Sequence, residues 1–114
     1  MATTEKAIFE PIRSVAFGSI TAAFLALGTP TVVSGRSVIL NNLTNGIIQI
    51  SLDGTNVHLQ VGAGQAKALL VTGQGYSNRR LYLPQGTQFY VRYVGAAPGT
   101  QSFWIEVMGA METT

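Results

Sequence analysis

Ile47-Ile48-Gln49-Ile50-Ser51-Leu52-Asp53-Gly54-Thr55-Asn56-Val57-His58-Leu59-Gln60-Val61 is the stretch on which the fold turns. Ile48, Ile50 and Leu52 alternate with Ile47, Gln49 and Ser51; beyond the loop, Val57, Leu59 and Val61 alternate with His58 and Gln60. A period of two is that of a strand with one buried face. Folding about Asp53-Gly54-Thr55-Asn56 sets Leu52 beside Val57, Ile50 beside Leu59 and Ile48 beside Val61, with Ser51 facing His58 and Gln49 facing Gln60. Asp53 and Asn56 are side chains that bond turn backbone, and Gly54 tolerates positive φ.

The same texture continues on both sides of this hairpin. Short β-branched and aromatic runs recur between Gly, Pro and Asn-Gly signals, and no helix-length segment holds a 3.6-residue apolar period. Strands are expected near 13–18, 20–26, 37–42, 47–52, 57–61, 66–71, 80–83, 88–94 and 102–108. A second hairpin about Pro98 would set Phe89 beside Val107, Val91 beside Ile105 and Tyr93 beside Phe103. Its outer face would carry Tyr90, Arg92 and Val94 against Ser102, Trp104 and Glu106, with Arg92 over Trp104. The expected fold is all-β, an antiparallel β-sandwich or jelly-roll-like barrel. Residues 11–108 form its single domain, 1–10 a flexible N-terminal arm and 109–114 a C-terminal tail, because neither end can add much to a core.

With 114 residues, one core is expected. Charged residues are 11% of the chain, against about 25% in an average soluble domain. Polar but neutral Ser, Thr, Gln, Asn and Gly take their place, and such a surface is cheap to desolvate when another subunit covers it. Between residues 11 and 105, Arg13, Arg36, Lys67, Arg79, Arg80 and Arg92 stand against Asp53 alone, a net of +5. That balance suits DNA or an acidic neighbour, with Arg79 and Arg80 as the candidate contacts.

Several chemistries find no support. Cysteine is absent, which removes disulfides, a thiolate nucleophile and Cys-type zinc sites. The single histidine, His58, has Ser51 and Asp53 nearby, but Ser51 lies within a strand and no Gly-x-Ser-x-Gly elbow is present. The loop from Asp53 lacks the acidic ligands of a calcium site. Gly62-Ala63-Gly64 and Gly73-Gln74-Gly75 do not open helices and so cannot cradle phosphate. No catalytic, cofactor-binding or metal residue is assigned and no cofactor is expected. Uncharged Ser14 to Gly35 is read as neither signal peptide nor membrane span, since Gly18, Gly28, Pro30 and Gly35 interrupt it. The sequon Asn42-Leu43-Thr44 then carries no weight.

The order of several segments resembles small β-proteins of tailed-bacteriophage virions. The matching pieces are Ala16-Phe17-Gly18-Ser19-Ile20, Leu27-Gly28-Thr29-Pro30, Asn41-Asn42-Leu43-Thr44, the stretch Ile50 to His58, the stretch Leu83 to Arg92, and a closing strand around Phe103 to Met108. The resemblance implies a non-enzymatic virion protein, made in the host cytoplasm, with the neck as the best placement. Its partners would be its own copies in a ring and virion proteins such as portal, adaptor or tail proteins. Capsid decoration, a tail or fibre role, and a glycan- or nucleic-acid-binding module are the alternatives. Phe9, Ile12, Tyr90, Arg92, Trp104 and Met108 are the expected subunit-interface residues, being apolar or aromatic positions with an arginine beside them.

Overall fold

A computed structural model describes residues 4–32, 34–70 and 84–113. Nine strands and one short 3-10 turn, Phe17–Ser19, make up the described regular structure: β1 Thr4–Phe9, β2 Arg13–Ala16, β3 Leu25–Leu27, β4 Ser34–Asn42, β5 Ile47–Ser51, β6 Leu59–Val61, β7 Ala66–Leu70, β8 Phe89–Val94 and β9 Ser102–Thr113. They form two antiparallel sheets. In the five-stranded sheet the order is β1-β9-β4-β7, with β2 also on β9; in the four-stranded sheet it is β3-β8-β5-β6. The core between them is Leu27, Ile48, Ile50, Val61, Phe89 and Val91 from one sheet against Val38, Leu40, Phe103, Ile105 and Val107 from the other, with Ile20 from the β2–β3 connection. No described helix is long and apolar enough to cross a membrane.

The first hairpin pairs as its alternation dictates: Ile48 with Val61, Gln49 with Gln60 and Ile50 with Leu59. Its loop is wider than expected, because β5 ends at Ser51 and β6 begins at Leu59. The second hairpin does not form. β8 lies between β3 and β5 while β9 lies in the other sheet between the β1–β2 edge and β4, so residues 95–101 cross from sheet to sheet. Positive φ at Gly95 and Gln101 turns the chain at both ends of that crossing, and Pro98 packs on Gly46. The alternation of Phe89 and Val91 with Phe103, Ile105 and Val107 did mark the inward faces; those faces oppose one another across the core instead of sharing one sheet.

One other strand expectation changes. The region 20–26 contributes only β3, from Leu25, after the 3-10 turn. The strand expected at 80–83 lies outside the described residues. Within the ends, expected as an arm over 1–10 and a tail over 109–114, Thr4–Phe9 runs antiparallel to Met108–Thr113, and among the described residues only Ser34 and Gly35 of β4 flank that ladder beyond Met108. Backbone hydrogen bonding can order segments that have little side-chain core of their own.

Candidate functional site

The outward face of the five-stranded sheet brings together residues distant in sequence. Trp104, Glu106 and Met108 project from β9 opposite to Phe103, Ile105 and Val107, and Ile39 projects from β4 between buried Val38 and Leu40. Phe9 pairs with Met108, and Ser14 with Trp104. From Phe9 to Arg13 the edge advances four residues while β9 advances three, from Met108 to Ile105. One extra residue is a bulge, and Pro11, which has no N–H to donate, sits inside it. The bulge leaves Phe9 78% and Ile12 52% exposed. With Ile39, Glu106 and Met108 they line an open groove of about 350 Å³.

Beneath the bulge lies a buried ion pair. Arg13 Nη2 donates to Glu10 Oε1 at 2.7 Å, Arg13 Nε donates to the Thr29 carbonyl at 3.0 Å, and the Val32 amide donates to Glu10 Oε2 at 3.1 Å. These bonds tie the broken edge to the β3–β4 connection. Arg13 Nη1 is buried without a hydrogen-bond partner among the described residues, and the guanidinium carbon lies 5.8 Å from the Phe89 ring centroid. Gly28, at φ +68°, leaves the room: a Cβ there would approach Arg13 Cγ to 2.9 Å. Arg13 is thus a core residue, and it leaves the basic surface to which its charge assigned it.

The outward face of the four-stranded sheet holds the other two expected interface residues. Arg92 does not meet Trp104, because the two strands are in different sheets. Its guanidinium stacks 4.3 Å over the Phe24 ring centroid, and its Nε donates to Gln49 Oε1 at 2.9 Å. Gln49 Nε2 in turn donates to Gln60 Oε1 at 3.0 Å, so a row from Phe24 to Gln60 crosses the sheet. Tyr90 packs on the loop beyond β5, where a Cβ on Gly54 would lie 3.3 Å from its ring. Ile47 and Val94, paired on this face, are both partly exposed.

The polar residues near His58 are committed to the turn. Asp53 Oδ1 accepts from the Thr55 and Asn56 amides and the Ser51 hydroxyl, and Oδ2 accepts from Asn56 Nδ2. Those bonds, the Asn56 amide first, hold its carboxyl well below the usual carboxylate range. His58 Nδ1 accepts from the Leu52 amide, 3.0 Å away. Among the described residues no group of three His, Cys, Asp or Glu side chains is placed to hold a metal. Asn42 of the sequon is fully buried: its Nδ2 donates to the carbonyls of Gly46, Val61 and Gly62, and its Oδ1 accepts from the Thr44 amide and hydroxyl. It is a plug between loops and offers no nitrogen to a glycan.

Four of the six expected interface residues, Phe9, Ile12, Trp104 and Met108, therefore share one face, and Tyr90 and Arg92 share the opposite one. Arg79 and Arg80 lie outside the described residues. Ile39 was missed, although Val38-Ile39-Leu40 carried the signal: three successive apolar residues in a strand must send one outward. Phe24 and Gln49 had no such signal, since their place beside Arg92 depends on pairings between strands far apart in sequence. No family model matches the chain, and no curated protein matches it.

Proposed function

We propose that this chain is a non-enzymatic structural subunit of a tailed-bacteriophage virion, a homo-oligomeric ring component of the neck that contacts portal, adaptor or tail proteins. The observation that carries the reading is the outer face of the five-stranded sheet: Phe9, Ile12, Ile39, Trp104 and Met108 stand exposed or half-exposed there, with Glu106 the single charge among the described side chains. So apolar a face favours cover by another protein over open water. The strand order adds support. With the broken edge β1–β2 counted as one strand, the described sheets read 1-8-3-6 and 2-7-4-5, an order that fits the jelly-roll architecture we propose, one that recurs in viral capsid and lectin domains. Such analogy of fold bears on the class of protein and leaves its place in the particle to the resemblance. In this reading the β1–β9 ribbon is the arm that reaches neighbouring subunits.

The test is to purify particles from infected cells, identify the chain in them by mass spectrometry and locate it by cryo-electron microscopy. A ring of density at the head-to-tail vertex that accommodates the sandwich is expected. Density spread over the shell or along a fibre would remove the neck, and absence of the chain from particles would remove the virion role.

A further inference from the structure

We propose that copies of this chain associate head to tail, the outer face of the five-stranded sheet of one copy covering the outer face of the four-stranded sheet of the next, with Glu106 of one copy meeting Arg92 of the other. This rests on the homo-oligomer part of the function proposed above and is independent of the neck. The charges decide it. Among the described strand side chains, Glu106 is the only charged one on the first face and Arg92 the only one on the second, where Asp53, at the end of that face, is tied into its own turn.

Each of these charges is poised for a partner outside its own chain. The Glu106 carboxylate makes no hydrogen bond or ion pair within the described residues, although it stands in a groove walled by Phe9, Ile39 and Met108. Among the described residues Arg92 hydrogen-bonds only through Nε, to Gln49, and the Phe24 ring stacks on its guanidinium. A planar, pre-oriented guanidinium suits bidentate capture of a carboxylate. Around the two charges, Ile39, Trp104 and Met108 on one face and Ile47, Val94 and Phe24 on the other supply apolar contact. That contact excludes water and strengthens the pair.

Pairing of like faces is the less favourable arrangement. A twofold dimer through the first face would bury two Glu106 carboxylates with no described cation to meet them, and one through the second face would bury two Arg92 guanidinia with no free carboxylate on the strands of that face. The two faces also lie on opposite sides of the sandwich, so one copy serves two neighbours. Such heterologous contacts close into a ring or run on as a filament.

Because the chain has no cysteine, single thiols report contacts cleanly. In purified protein under mild oxidation, a mixture of the Glu106→Cys and Arg92→Cys variants is expected to give a disulfide-linked dimer, and the doubly substituted chain a ladder of higher oligomers. Neither single variant alone should cross-link. Cross-linking of Glu106→Cys alone would mean a twofold dimer and would overturn the proposal, as would no cross-link in the mixture up to the solubility limit. A charge exchange gives an independent reading that does not depend on thiols: Glu106→Arg, which breaks no bond within the described residues, should weaken self-association about tenfold or more. Adding Arg92→Glu to the same chain should restore it, and failure of that rescue in a doubly substituted chain that melts like the unmodified protein would also overturn the proposal. A neck ring without 106–92 cross-links would leave the proposed function standing and remove this contact; cross-links in a protein absent from virions would do the reverse.

Discussion

Asn42 shows how much one side chain carries here. Its five hydrogen bonds join the end of β4, the turn at Thr44–Gly46 and the end of β6, all fully buried from water at Asn42 itself. Asn42→Ala would strand several of those partners, and the expected loss is about 3 kcal/mol, a large share of the roughly 5–15 kcal/mol of a domain this size. Urea unfolding checks it: the midpoint should fall with the slope unchanged. Asp53 makes a different demand, because its bonds require the ionised form. Its pKa is lowered in the folded chain, so its stabilisation is complete above the ordinary value of 3.8 and is lost as pH falls below that toward the depressed folded value. Thermal melts of the unmodified chain and Asp53→Asn should accordingly differ most near neutral pH and converge as the solution is acidified. A gap that stays constant down to strongly acidic pH would mean the charge of Asp53 is not what orders the turn.

Between elements, the contrast is between β5–β6 and β8–β9. Ile105→Ala should cost about 2–5 kcal/mol through the cavity it opens, as should Val91→Ala toward the lower end, because both side chains are fully buried in the layer between the sheets. Denaturant unfolding of either variant gives the value directly. The outcome is the same as for a β8–β9 hairpin, and this is why the sequence misled: a period of two tells which side chains point inward and says nothing of which strand lies alongside. The two connections are equally long, 52–58 and 95–101, so length does not separate them. At β5–β6 the side-chain bonds of Asp53 fold the loop back, and Ile48, Gln49 and Ile50 find the partners that alternation assigns them; at β8–β9 both edges of each strand are taken by strands from far along the chain. The candidate site was legible to the same extent. Outward Trp104 and Met108 followed from alternation, whereas their meeting with Phe9 and Ile39 depended on the ladders of β9 with β1 and β4. Buried Glu10 and Arg13 were illegible, since both were counted as ordinary charges and only the bulge turns them inward.

For the molecule as a whole, that bulge separates what the N-terminal residues do for folding from what the proposed assembly would ask of them. β1 pairs with β9 at residues 108–113, beyond the stretch of β9 covered by β2, so a chain beginning at Glu10 keeps the sandwich, the β2–β9 ladder and the Glu10–Arg13 pair. It should fold with a modest loss of stability, yet it lacks Phe9 and the β1–β9 ribbon and should enter particles poorly. A chain beginning at Pro11 loses one residue more and leaves the Arg13 guanidinium buried with no carboxylate at 2.7 Å. An uncompensated buried charge costs about 3–5 kcal/mol, so this chain should melt far below the first. Adding Arg13→Met to the shorter chain removes the stranded charge while keeping an unbranched apolar stem against Phe89, and should recover most of the difference. Circular dichroism melts of the three chains read the folding part, and their incorporation into particles reads the assembly part. Equal melting of the Glu10 and Pro11 chains would show that the ion pair is not what anchors the edge. Normal incorporation of the Glu10 chain would show that neighbouring subunits do not use Phe9 or the ribbon, and would confine the contact to Ile12, Ile39, Trp104, Glu106 and Met108.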